Sequence, residues 1–66
     1  MNVKMLKDKI AEKGMNVEQL AKKIGIDRST MYRKINADIS TTVAEAIKIK
    51  DALGLTNEEA RSIFFG

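Results

Sequence analysis

The chain has 66 residues, of which 44% are hydrophobic and 32% are charged, and its net charge is +3. This composition is typical of a folded globular domain, and a chain of this length forms one small domain, expected to span residues 1–66. Cysteine and histidine are absent, which excludes disulfides, thiolate or imidazole metal sites and an imidazole general base. Proline is absent too, so no proline interrupts a helix. We therefore expect no metal, no cofactor and no enzymatic activity.

The chain offers no segment that suits a membrane. Its longest apolar run is residues 63–65, whereas a membrane span needs about 20 residues. The first residues lack the apolar stretch of a signal peptide. The sequence therefore predicts a cytoplasmic protein with no membrane contact.

Charge is distributed unevenly along the chain. Residues 1–36 carry nine basic and four acidic side chains, a net charge of +5, whereas residues 37–66 carry three basic and five acidic ones, a net charge of −2. A basic half of this kind suits a polyanion. The alternative is a lysine-rich face that only contacts solvent.

Cap signals divide the chain into five short helices. Asn16, Thr42 and Thr56 each precede a Gln or Glu by three residues, the spacing of a capping box. Asp27 is a fourth cap residue, and glycines at 14, 25 and 54 suit helix ends. The predicted helices are residues 3–13, 17–24, 28–36, a fourth that follows Thr42 and stops at Gly54, and 57–64. Their apolar residues at helical spacing are expected to form the core: Val3, Leu6, Ile10, Leu20, Ala21, Ile24, Met31, Ile35, Ala46, Ile49, Leu53, Ala60, Ile63 and Phe64.

Residues 16–36 carry the most informative pattern. Only Gly25-Ile26-Asp27 separates the second helix from the third, so the two must cross sharply. Ala21 offers a small side chain at the crossing, Gly25 permits a tight turn, and Ile26 fills the space between the helices. The segment is therefore predicted to be a helix-turn-helix.

With Leu20, Ala21, Ile24, Gly25, Ile26 and Met31 at matching positions, the chain resembles the lambda-repressor and Cro-like helix-turn-helix family. The resemblance covers nearly all 66 residues. It implies an all-α, compact five-helix fold and a homodimer that binds double-stranded DNA sequence-specifically. Such proteins are often phage or prophage repressors, so the cell would be bacterial or phage-infected. The third helix would be the recognition helix and lie in the major groove.

Helical geometry predicts which side chains of the third helix face outward. Because Met31 and Ile35 face inward, the outward residues are Arg28, Ser29, Tyr32, Arg33 and Asn36. The first four are the candidate base-reading residues, since arginine can bond guanine with two hydrogen bonds and hydroxyl groups serve bases or phosphates. Two alternatives stay open: Tyr32 as an aromatic at the edge of the core, and Arg33 as a merely solvated cation.

Other polar residues are candidates for the DNA backbone. Asn16 lies at the start of the second helix, where free N–H groups attract phosphate. In the family that the chain resembles, the position that Asn36 occupies often contacts the DNA backbone. Ser40, Thr41 and Thr42 precede the fourth helix and form a second candidate group, for which the alternative role is helix capping. The lysines of the first helix are expected to face solvent: Lys4, Lys7, Lys9 and Lys13.

The sequence departs from the family's pattern at several positions. Val17 stands where many relatives have a glutamine that braces the recognition helix, and Asp38 lies in a loop that often carries a cation. Lys34 takes a position that is usually apolar. Ile10 and Ile35 replace a buried Arg–Glu pair of some relatives, and we expect these two isoleucines to pack together.

A dimer is expected because one module buries only about 600 to 1,000 Å² on DNA. Its predicted interface is Ile63, Phe64 and Phe65, since two adjacent phenylalanines point in different directions. The alternative is that Phe64 enters the core and Phe65 covers its edge. The alternative function is a protein-interaction regulator, similar to an antirepressor or antitoxin, that presents the same fold to another regulator protein.

Overall fold

The computed structural model describes residues 1–37 and 41–65, and five α-helices account for most of them. They are α1 (Val3–Glu12), α2 (Val17–Ile24), α3 (Arg28–Asn36), α4 (Val43–Leu53) and α5 (Asn57–Phe64). The described residues contain no strand, and the all-α prediction is confirmed. The predicted helix bounds are confirmed too, except that α1 ends one residue earlier, at Glu12.

The capping boxes predicted for α2, α4 and α5 are all formed. In each box the cap side chain accepts from the backbone N–H three residues on, and that residue's side chain accepts from the backbone N–H of the cap. The six bonds measure 2.8 to 3.1 Å. Asp27 caps α3, as predicted, through a bond of 2.9 Å from the Ser29 N–H. Asn2, which the sequence reasoning missed, caps α1 by accepting from the Met5 N–H at 3.0 Å.

Three of the four connections between helices share one pattern: a glycine, an apolar residue and a cap residue. Gly14, Gly25 and Gly54 have φ angles of +69°, +77° and +63°. The next N–H donates to the carbonyl five residues earlier, at 3.0 Å in each case. This closes the preceding helix in the manner of a Schellman motif. The apolar residues of the three connections turn toward the core: Met15, Ile26 and Leu55.

The core lies where α2 packs against α3, α4 and α1, and α5 closes it by packing on α1 and α4. Its most deeply buried side chains are Leu6, Leu20, Met31, Ile49, Leu53 and Ile63. The predicted inward residues are confirmed, with Val3 and Phe64 half-buried against the cluster. Ile10 and Ile35 are both buried members of this cluster, and the direct contact between them stays a prediction. No helix within residues 1–37 and 41–65 is long and apolar enough to cross a bilayer.

Candidate nucleic-acid interface

The exposed face of α3 carries four polar side chains and one aromatic side chain. Arg28, Ser29, Arg33 and Asn36 are exposed, and Tyr32 is 41% exposed. Because the apolar residues of α3 are in the core, the helix must present this polar face to solvent. The predicted orientation of α3 is therefore confirmed.

The two arginines of α3 have different surroundings. The Arg28 guanidinium lies 3.4 Å from the Glu18 carboxylate of α2, and both side chains are about 60% exposed, at 62% and 60%. Arg33, one turn further along, forms no ion pair with any residue of 1–37 or 41–65. Arg33 is therefore available to a ligand as it stands, whereas Arg28 must leave Glu18 first.

Tyr32 and Asn16 lie together although they are 16 positions apart in the chain. Both line a shallow depression whose other lining residues are Lys7, Ile10, Ala11, Met15 and Val17. Most of these residues are apolar, so Tyr32 borders an apolar surface and solvent at the same time. Both interpretations of this side chain are thus compatible with its position.

The start of α2 offers backbone donors. The Asn16 side-chain oxygen accepts from the Gln19 N–H at 2.8 Å, and the Gln19 side chain accepts from the Asn16 N–H at 3.0 Å. The N–H groups of Val17 and Glu18 have no acceptor in the described part of the chain. Free N–H groups at a helix start are donors suited to phosphate.

The start of α4 is a second such place, but its hydroxyl groups are engaged. The Thr42 hydroxyl accepts from the Glu45 N–H at 3.1 Å and donates to the Glu45 carboxylate at 3.2 Å, so its predicted capping role is confirmed. The Thr41 hydroxyl is half-buried and lies 3.7 Å from the Met1 sulfur. Ser40, the third candidate here, is outside the described residues.

Glu45 also joins α4 to α3, a contact that sequence reasoning missed. The Lys34 ammonium lies 3.0 Å from Glu45 Oε1, and the two side chains are only 13% and 21% exposed. The pKa of Glu45 lies below its ordinary value, chiefly because the Thr42 N–H donates to the carboxylate and then because Lys34 does. A lysine at a usually apolar position was the available signal for this contact.

A second ion pair of the same kind joins α1 to α5. Lys9 contacts Glu59 at 2.5 Å and Glu12 at 3.4 Å. The expectation that Lys9 faces solvent is wrong, because only 19% of its side chain is exposed. The Lys9 ammonium, with the Thr56 N–H, lowers the pKa of Glu59 to about 2, and Glu59 in turn raises the pKa of Lys9.

The opposite end of the chain forms an apolar groove between α4 and α5. Phe65 is 68% exposed, Phe64 is half-buried, and Ile63 is 1% exposed and so contributes only to the core. Val43 and Ile47, exposed by 63% and 54%, extend this surface along α4. The groove is lined by Val43, Ala46, Ile47, Lys50, Ala60, Phe64 and Phe65. The sequence reasoning missed Val43 and Ile47, whose spacing of four marks a second apolar stripe on α4.

The fold is thus a small all-α domain that sets one helix, α3, with two exposed arginines on its surface. The model of the Cro/C1-type helix-turn-helix DNA-binding domain matches residues 5–60, and the chain belongs to this family. The domain therefore binds DNA, and its family is typically not enzymatic. Neither curated proteins nor solved structures give a significant match.

Proposed function

We propose that this domain binds double-stranded DNA sequence-specifically as a Cro- or repressor-like transcriptional regulator. In this proposal α2 and α3 form the helix-turn-helix, and α3 is the recognition helix in the major groove. The observation that carries the proposal is the outer face of α3, on which two arginines, hydroxyl groups and an amide are exposed together. The function implies action in the cytoplasm of a bacterial or phage-infected cell.

The base-reading residues are Arg28, Ser29, Tyr32 and Arg33. Arg33 has no ion pair to break among the described residues, so it can bond the O6 and N7 atoms of a guanine directly. Arg28 can exchange Glu18 for a base or a phosphate at little cost, because exposed ion pairs contribute only about 0 to 1 kcal/mol. Ser29 and Tyr32 add hydroxyl groups beside them.

The DNA backbone is held at the starts of α2 and α4 and at the end of α3. At α2 the contacts are the Asn16 amide and the neighbouring free N–H groups. At α4, Thr41, Thr42 and Ser40 serve the phosphate, with the Thr42 hydroxyl chiefly fixing the helix start. Asn36 adds a contact at the exposed end of α3.

Selection of bound sequences from a random duplex pool, followed by salt titration, tests this proposal. We expect one enriched sequence, and an affinity for it that falls steeply from about 50 to 200 mM salt because each neutralised phosphate releases counterions. A scrambled duplex should bind more weakly with a similar salt slope. No enriched sequence, or an affinity that salt does not change, would contradict the proposal.

The functional unit is proposed to be a homodimer that pairs through the groove between α4 and α5. Phe64 and Phe65 supply its apolar surface, together with Val43 and Ile47. Two copies would contact half-sites about 34 Å apart, one turn of the duplex. Sedimentation of Phe65→Ser should show loss of the dimer, whereas Tyr32→Ser, which also removes an exposed aromatic ring, should keep it. A wild-type monomer at high concentration would rule out this interface.

The second candidate is a protein-interaction regulator of the antirepressor or antitoxin kind. The observation that favours it is the same groove, because exposed apolar surface is typical of protein-binding sites. In that case Phe65→Ser abolishes binding to the partner regulator, and Arg33→Ala leaves that binding unchanged. The salt titration separates the two functions.

A further inference from the structure

The contact between α3 and α4 centres on one carboxylate oxygen. Glu45 Oε1 accepts from the Thr42 N–H at 3.1 Å, from the Thr42 hydroxyl at 3.2 Å and from the Lys34 ammonium at 3.0 Å. The first two bonds fix the start of α4, and the third comes from the last turn of α3. One oxygen therefore links the start of α4 to the last turn of α3.

The two helix ends joined here are the ones assigned to different parts of the duplex. Lys34 follows Arg33 directly, and Thr42 lies at the helix start assigned to the phosphates. Groove edges and phosphates are at fixed distances in a duplex, so a helix that shifts by about 1 Å loses several contacts together. The pair also bridges the chain on both sides of residues 38–40.

We propose that Lys34 and Glu45 are positioning residues for DNA recognition, which hold the base-reading helix in register with the phosphate-binding start of α4 without contacting DNA. This inference rests on the proposed function. The half-buried state of both side chains supports it, because the Lys34 ammonium lies 3.0 Å from Glu45 where the two side chains are only 13% and 21% exposed. Charge-assisted hydrogen bonds are about twice as strong as neutral ones, which suits a contact that fixes geometry.

Glu45→Gln is the decisive variant. A glutamine retains the oxygen needed for the capping box, as Gln19 does in α2, but loses the charge that holds Lys34. Removing a negative charge beside DNA should tighten binding if only electrostatics matters. Positioning instead makes Glu45→Gln bind the selected duplex about fivefold more weakly, a change typical of coupled residues. Lys34→Met should weaken it by a similar factor, and the double variant should lose no more than either single one.

The chain contains a matched control. Lys9 and Glu59 form a similar arrangement between α1 and α5, an ammonium beside the third residue of a capping box, although Lys9 lies at Oε2 while the box uses Oε1, and Lys9 also pairs with Glu12. Lys9→Met and Glu59→Gln should therefore change thermal stability as much as the test variants do, and leave affinity for the selected duplex unchanged. If the control variants lost the same affinity, lower folding stability would explain the weaker DNA binding of the test variants, and the proposal would be overturned.

Three further results decide the proposal. Tighter or unchanged binding by Glu45→Gln overturns it. Lys34→Met could instead lower the affinity for specific and non-specific DNA equally and reduce the slope of log affinity against log salt concentration by about one. That result would make Lys34 a direct phosphate contact, and it also overturns the proposal. Residual dipolar couplings of the free protein give the angle between α3 and α4: a change in Lys34→Met and Glu45→Gln supports the proposal, and no change refutes it. This last measurement holds even if the wild type selects no DNA sequence, a result that would count against the proposed function alone.

Discussion

The helix pairs α2–α3 and α4–α5 are joined by the same kind of turn and yet present opposite surfaces. Both first helices begin with a capping box and end at a glycine in the left-handed conformation. Both turns continue with an apolar residue and a cap residue. The outer face of α3 is polar and carries two arginines, whereas α4 and α5 expose Val43, Ile47 and Phe65. The turn thus fixes how two helices cross, and the outer residues decide what the pair binds.

The largest expected effect is on folding stability, and it should be equal for core substitutions in the two helix pairs, because the inner faces of both pairs form one core. Leu20 of α2 and Leu53 of α4 are 0% and 1% exposed. Leu20→Ala and Leu53→Ala should each lower the free energy of unfolding by about 2 to 5 kcal/mol, through lost burial and a residual cavity. Urea titration followed by circular dichroism measures this. Two separate transitions, or a loss confined to one pair, would mean that the pairs fold independently.

The next largest expected effect is on DNA affinity, and it should differ between the two helix pairs. Arg33 and Arg61 both lie in the last turn of the second helix of their pair, and both are exposed. Arg33→Ala should weaken binding of the selected duplex by about 1 to 3 kcal/mol, the cost of losing a bidentate base contact. Arg61→Ala removes the same charge from the other pair and should change affinity little. Fluorescence anisotropy with labelled duplex compares them, and equal losses would show that only net charge matters.

A smaller loss of folding stability should again be the same in both helix pairs, because it arises from the glycine turn that each pair contains. Gly25 and Gly54 have positive φ, and a Cβ added at Gly25 meets nothing within 4 Å, while at Gly54 it meets only the Lys13 ammonium at 4.0 Å. Gly25→Ala and Gly54→Ala should therefore each cost about 1 to 2 kcal/mol of stability through backbone strain alone. Thermal unfolding measures the cost. Gly25→Asn should cost less, since asparagine tolerates this conformation; a loss as large as that of alanine would contradict the strain explanation.

Local signals in the sequence were sufficient for the helices and for the exposed face of α3. Cap residues, glycines and apolar spacing act over three to five positions, and each of them survives in the structure. The orientation of Arg33 and Tyr32 follows from Met31 and Ile35 by helical geometry alone. Such features need no knowledge of which helices become neighbours.

The contacts that were missed depend on that knowledge. Lys9 meets Glu59 only because α1 packs on α5, and Lys34 meets Glu45 only because α3 ends beside the start of α4. Val43 and Ile47 were overlooked for the same reason, since a stripe counts as exposed only when no helix covers it. Tertiary packing therefore decides which charges are paired and which apolar residues stay at the surface, and one sequence read alone does not fix it.

Acid should affect the two pairs differently, and this is the subtlest of the expected effects. The box of α2 uses the uncharged Gln19, whereas those of α4 and α5 use Glu45 and Glu59. Both carboxylates have a lowered pKa, that of Glu59 about 2 against an ordinary 4.5. Each carboxylate therefore contributes stability that is complete well above pH 4.5 and is lost as the pH falls below that value, in the case of Glu59 down to about pH 2. As the pH falls through this range, a carboxylate released by opening takes up a proton, so the starts of α4 and α5, with their bonds to Lys34 and Lys9, open more readily.

Amide hydrogen exchange at pH 6 and pH 3, corrected for intrinsic rates, tests this difference residue by residue. Protection of the Glu45 and Glu59 N–H groups should fall at pH 3, whereas that of the Gln19 N–H should fall only as far as global stability does. The double variant Glu45→Gln, Glu59→Gln is the control, because its three boxes are all uncharged and should respond alike. Equal loss of protection at Gln19 and Glu59 in the wild type would mean that acid acts on the whole core. Selective loss would show that the pairs, though joined by the same turn, differ in how their helix starts respond to protons.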